Sequence, residues 1–149
     1  MKSKAFQDQW PDMSATCWGC GRNNEHGLKI KSHWDGEEVV CVWEPKDYHL
    51  AFPGVLNGGI IASIIDCHCL NAANAAYMKE KGQKMDELIA GFITGMLNVK
   101  FLKPTPVKTV NLRAKIIEMG EKKIKVTCEL FSGKILCATG GITAIRVGI

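Results

Sequence analysis

The residues from Gly58 to Met78, GGIIASIIDCHCLNAANAAYM, restrict the possible folds more than any other part of the sequence. The run is too long and too poor in internal glycine for a strand, and over its first two turns apolar side chains fall on nearly all sides of a helix. Such a helix cannot lie on a surface and has to be enclosed. It ends near KEKG, where Gly82 can stop it.

The material that encloses it lies on both sides. Upstream, LKIKSHW alternates apolar with polar residues, DGEE supplies a turn, and VVCVWEP follows, so a hairpin closes at Pro45. Downstream, four segments alternate in the same way: LIAGFITGMLNVKFLKP, KTVNLRAKIIEMG, KKIKVTCELFSG and KILCATGGITAIRVGI. Turn signals at Pro104, Pro106, Gly120 and Gly133 divide them. An antiparallel sheet built this way has one face to cover and a single long helix to cover it, so the sheet must curl. The expectation is an α+β chain, an antiparallel curved sheet of five to six strands wrapped around one long central helix. With 149 residues, 46% of them hydrophobic, there is material for one core. Residues 1–16 are polar, aperiodic and interrupted by Pro11, and read as a loosely held arm or a short surface helix before a domain of residues 17–149.

Several function classes fall away. The apolar run carries Asp66, His68, Asn71 and Asn74, which a membrane span would not accept cheaply, and the opening MKSKAFQDQWPDM lacks the apolar stretch of a signal peptide. Seven scattered cysteines, an odd number, fit free thiols in a reducing compartment better than a disulfide framework, so a cytoplasmic protein is expected. A net charge of +4 with dispersed lysines gives nucleic-acid binding little support.

Asp66 sits among IIASII, where an unpaired carboxylate loses hydration or has its pKa pushed up, so it calls for a partner or a task. Gly58 and Gly59 stand at the helix start, where backbone amides lack intrahelical acceptors and can hold a carbonyl oxygen that is becoming an oxyanion. The alternative is that the glycines make only a tight turn into the helix, with Asn57 as N-cap. Eight residues of helix separate Gly58 from Asp66 by about 12 Å, too far for both to serve one reacting group. If two copies of the helix lie antiparallel across a twofold axis, Gly58 of one meets Asp66 of the other, so the catalytic reading predicts a homodimer.

FPGVLNGGIIASIID, together with the opener CWGCGRNNEHGLKI and the strand, strand, helix, four-strand order, resembles the hot-dog fold acyl-CoA thioesterases, in particular the phenylacetate-pathway type. The likeness runs from about Cys17 to the C-terminus. It implies a hot-dog fold, a dimer or dimer of dimers, an acyl-CoA substrate and no separate cofactor, coenzyme A arriving as part of the substrate. It further implies that Gly58 supplies the oxyanion amide, that Asp66 is the general base or nucleophile, and that Thr94 orients the attacking water. The family pattern H-x-x-x-x-G-x-x-H-G-G matches His49, Gly54, Gly58 and Gly59, but its second His is Asn57 here, and an upstream Asn or Gln is replaced by Leu50 or Ala51. An asparagine amide can polarise a carbonyl but cannot carry a proton. That departure keeps a second reading open, a catalytically weak acyl-CoA-binding or regulatory module on the same fold. Hydratase chemistry would want a His beside the carboxylate, which this helix does not supply.

Other groups have plainer readings. Lys100, Lys103 and Arg146, near strand ends, can meet the phosphates of coenzyme A. CWGC has zinc-finger spacing, but no second cysteine pair stands at a matching distance, so a turn with two small thiols is preferred and no metal is expected. Successive residues of DCHC point about 100° apart on a helix and cannot converge on one ion. His68 therefore points away from Asp66.

Overall fold

A computed structural model describes residues 3–88 and 91–147. The main elements are strands β1 (Ser32–Asp35) and β2 (Glu38–Trp43), helix α1 (Gly58–Glu80), then β3 (Phe92–Phe101), β4 (Val110–Glu118), β5 (Lys123–Ser132) and β6 (Ile135–Arg146). The expected order of two strands, one long helix and four strands holds. Ile89, Ala90, Gly148 and Ile149, at the edges of two expected strand segments, lie outside the described residues. The first hairpin strand is shorter than LKIKSHW suggested, beginning at Ser32.

Six antiparallel strands form one sheet in the order β1-β2-β4-β5-β6-β3 around α1, which is the hot-dog fold. Inward residues alternate along the strands: Val110, Leu112 and Ala114 on β4, and Ile124, Val126, Cys128 and Leu130 on β5, are all buried. From the helix, Ile64, Ile65, Cys69 and Ala72 meet them. Ala72, Ala73 and Ala75 are completely buried, so the small residues of the later turns let the sheet approach closely.

Both ends of α1 are built by local chemistry. Asn57 Oδ1 accepts from the Ile60 amide at 3.1 Å. At the far end Gly82 takes a positive φ of 66°, Gly82 N–H donates to Lys79 and Gln83 N–H to Met78, which together close a Schellman motif.

The opening residues contribute more than a loose arm would. Two 3-10 turns, Phe6–Asp8 and Asp12–Ser14, bury Phe6 and Trp10 in the core. Gln7 Nε2 donates to Ser32 Oγ at 3.0 Å, the Ser32 hydroxyl lies 2.8 Å from His68 Nδ1, and His68 Nε2 lies 3.0 Å from the Val39 carbonyl. Burial pushes the His68 pKa down to about 4, which keeps the ring neutral. A neutral ring that donates from Nε2 to Val39 must accept from Ser32 at Nδ1, so the chain of bonds is consistent throughout. Ser32→Ala leaves Nδ1 buried without a donor and should cost about 1–3 kcal/mol in urea unfolding, and an unchanged midpoint would show that the bond is not formed.

Candidate active site

A stripe of partly exposed residues, Gly59, Ala62, Ser63, Asp66 and Leu70, runs along α1 at helical spacing and marks the one side that the sheet leaves open. It lies beside β3, one of the two edge strands of the sheet. Asp66 is half-buried there, and Thr94 Oγ1 donates to its Oδ1 at 2.6 Å. Burial raises the Asp66 pKa above its ordinary value, the Thr94 bond opposes that rise, and the nearby Cys17 sulfur adds to it. The carboxylate that looked unpaired in sequence thus has one firm partner, and among the described residues no hydrogen bond reaches its second oxygen.

A β-bulge directly follows Thr94. Thr94 pairs with Ala144 and Met96 with Thr143, so Gly95 is the extra residue, and a Cβ at Gly95 would collide with the Ile145 side chain. The bulge resets the alternation, so that Leu97, Val99 and Phe101 share a face beyond it. The Phe101 ring lies 3.4 Å from where a Cβ on Gly58 would sit, so this face adjoins the tip of α1.

Backbone bonds brace that tip. Asn57 N–H donates to the His49 carbonyl at 2.9 Å, and Leu56 N–H to the Thr105 carbonyl at 2.8 Å. Among the described residues no backbone acceptor outside the helix takes the Gly58 or Gly59 amide, which leaves both able to donate outward. The Asn57 amide oxygen is committed to the cap, so only its Nδ2 remains to polarise a carbonyl. A cavity of about 390 Å³ opens beside the tip, lined by Gly58, Ile61, Phe101, Leu102 and Lys103 among others. His49 stands behind the tip and not in the cavity lining: its Nδ1 accepts from Lys46 N–H at 2.9 Å, and its ring packs against Trp43 and Tyr48. Burial, then Lys46, lowers its pKa.

Of the residues expected at the site, Asp66 and Thr94 come together, and Gly58, Gly59, Asn57 and Lys103 gather at the helix tip. Within one chain the two groups stay two turns of helix apart. Lys100 is exposed on β3. Arg146 is engaged elsewhere, with Glu121 and over the Tyr77 ring. His68 does point away from Asp66, into the core. That Phe101 covers Gly58 and that Cys67 meets Cys17 and Cys20 was not legible in the sequence, because neither pairing has a local spacing to betray it.

This fold recurs in known proteins. Residues 53–138, more than half of the chain, match the Thioesterase superfamily. The chain belongs to that superfamily, whose chemistry is hydrolysis of acyl thioesters. A thioesterase superfamily protein from Shewanella loihica PV-4 is 34% identical over 83% of this chain and 96% of its own, with a TM-score of 0.66. The fold also matches a phenylacetic acid degradation-related protein from Ralstonia eutropha JMP134, at 22% identity, 80% and 86% coverage and a TM-score of 0.68. A third match, a Streptococcus mutans UA159 protein solved bound to acetyl CoA, is 16% identical over 80% of this chain and 89% of its own, with a TM-score of 0.65. The resemblance to the hot-dog thioesterases is therefore borne out, and in fold it extends to the phenylacetic acid degradation-related protein. No functionally curated protein matches the sequence. Among the described residues no helix is long and apolar enough to cross a membrane.

Because the Thr94 hydroxyl holds the ionised form of Asp66, Thr94→Val should raise the Asp66 pKa further, while Thr94→Ser should leave it near the wild-type value. Carboxyl carbon NMR titration of Asp66 reads this directly, and an unshifted Thr94→Val titration would remove Thr94 as its partner.

Proposed function

We propose that the protein hydrolyses acyl-CoA thioesters in the cytoplasm, as a twofold dimer in which Asp66 of one subunit works with the Gly58 amide of the other. The observation that carries the reading is the open stripe of α1, on which an acid paired to Thr94 lies among small residues along an unpaired sheet edge. Gly59, Ala62 and Ser63 permit a second helix to come close. On β3 and just beyond it Ile93, Met96, Leu97, Phe101 and Leu102 are exposed, an apolar surface that a second copy would cover.

In that dimer the thioester carbonyl accepts from the Gly58 N–H at the positive end of the helix, assisted by Asn57 Nδ2. Asp66 of the facing subunit takes a proton from water as the water oxygen attacks the carbonyl carbon, and Thr94 keeps the carboxylate and the water in line. The tetrahedral intermediate then collapses, the carbon–sulfur bond breaks, and the proton held on Asp66 passes to the departing thiolate. Direct attack by Asp66, through a mixed anhydride, uses the same residues. Lys103, on the cavity wall, and Lys100, exposed on β3 just before it, would meet the phosphates of coenzyme A. An adjacent pair of subunit dimers would make the tetramer that the resemblance implies.

Thiol release from a panel of acyl-CoA esters should show turnover by the wild type and a loss of at least about 100-fold in Asp66→Asn, with an unchanged dimer by light scattering. Tight acyl-CoA binding without turnover in either protein would select the binding-module reading, which the replacement of the family His by Asn57 favours. Near wild-type hydrolysis by Asp66→Asn would remove Asp66 from the mechanism.

A further inference from the structure

The pair Cys17 and Cys20 falls short of a metal site when read in sequence, because no second pair follows at a matching distance. Folding brings a third thiol to it. The Sγ atoms of Cys17, Cys20 and Cys67 all lie within 4.8 Å of one another, although Cys67 is fifty residues away on α1. Cys17 and Cys67 Sγ stand 3.8 Å apart, and two sulfurs each bonded at about 2.3 Å to a tetrahedral zinc ion would stand at about that separation.

The loop that carries the pair is shaped to reach the helix. A Cβ at Gly19 would collide with the Cys67 sulfur, and one at Gly21 would collide with the Ala15 carbonyl, so both positions need glycine. Gly21 N–H donates to the Cys17 carbonyl at 2.7 Å and Leu28 N–H to the Trp18 carbonyl at 2.8 Å, which close the turn from both sides. Backbone amides of Gly19 and Cys20 face the Cys17 sulfur, the arrangement that supports a thiolate in a metal knuckle. Asn71, whose oxygen accepts from Trp10 Nε1 at 2.7 Å, donates to the Cys67 carbonyl at 2.7 Å and steadies that turn of the helix. The other four cysteines, Cys41, Cys69, Cys128 and Cys137, are buried in the core, whereas Cys17 is exposed and Cys20 and Cys67 are half-buried. An ion can therefore reach this trio and none of the others.

We propose that Cys17, Cys20 and Cys67 bind one zinc ion as three thiolates, with a solvent molecule in the fourth tetrahedral position. Three soft sulfur donors select zinc over magnesium or calcium, which take oxygen ligands. Binding is a proton exchange: each thiol that coordinates releases one proton, zinc gains three sulfur bonds, and nothing is oxidised or reduced. The ion fastens the CWGC loop to the turn of α1 that carries Asp66. It is a positioning device, and its existence does not depend on the thioesterase reading.

Cobalt titration of the full chain tests the site. Protein kept under reductant and stripped with a chelator should take up one equivalent of Co²⁺, with sulfur-to-cobalt charge-transfer bands and tetrahedral ligand-field bands that zinc abolishes. Cys67→Ser should lose most of the charge-transfer intensity, and Cys137→Ser should keep it. If Cys67→Ser does not fold by circular dichroism, Cys17→Ser, at an exposed position, must show the same loss. Absence of thiolate bands in the reduced wild type, full bands in either ligand variant, or an intact mass two hydrogens light under reductant, the mark of a disulfide among the three, would each overturn the proposal.

Discussion

Because α1 carries apolar side chains on almost every side, the chain has to close a sheet around it, and each branched aliphatic side chain so buried contributes about 1.5–3 kcal/mol. Ile61, Ile64 and Ile65 reach the core within the first two turns, and Cys69, Ala72 and Ala73 continue it. Six antiparallel strands are just able to wrap the helix, and they leave one side of it open. Asp66 lies on that side. An acid there is neither free in water nor sealed in the core, and the neighbouring edge strand offers it a partner. Thr94 does so because it follows Phe92 by two residues and pairs with buried Ala144, on the face of β3 that looks inward.

The architecture was largely legible in the sequence, since it follows from periodicity. Alternation gave four of the strands to within a few residues, the unbroken apolar run gave α1, and Asn57 and Gly82 gave its ends. The opening segment was not legible. Phe6 and Trp10 are isolated in a polar stretch, and their burial depends on contacts with β1 and α1 that no local pattern announces. The same limit applies to β1, which begins only at Ser32 because Leu28 and Ile30 turn into the core without pairing in the sheet.

The site divides along the same line. Asp66 stood out because a charge in an apolar run is costly, and the glycines stood out because helix starts have unpartnered amides. Both features are set by neighbours in the chain. The thiol cluster needs a loop and a helix fifty residues apart to be packed together, so spacing alone argued against a metal where folding supplies the third donor. The same helix turn then carries a carboxylate on one side and a thiol on the other, Asp66 toward Thr94 and Cys67 toward the loop. A single residue step on the helix separates the two environments, in keeping with the roughly 100° between successive side chains.

The claim on which the functional account turns is that each site draws on two subunits. Gly58→Pro deletes one amide at the first helical position, where proline fits, and Asn57 already has the extended backbone, φ −61° and ψ 132°, that a residue before proline requires. Gly58→Pro and Asp66→Asn subunits, each inactive alone, should on random mixing and exchange recover about a quarter of the wild-type thioesterase activity, because half of the dimers are mixed and each mixed dimer holds one intact site. Mixed dimers that form and remain inactive would contradict the account.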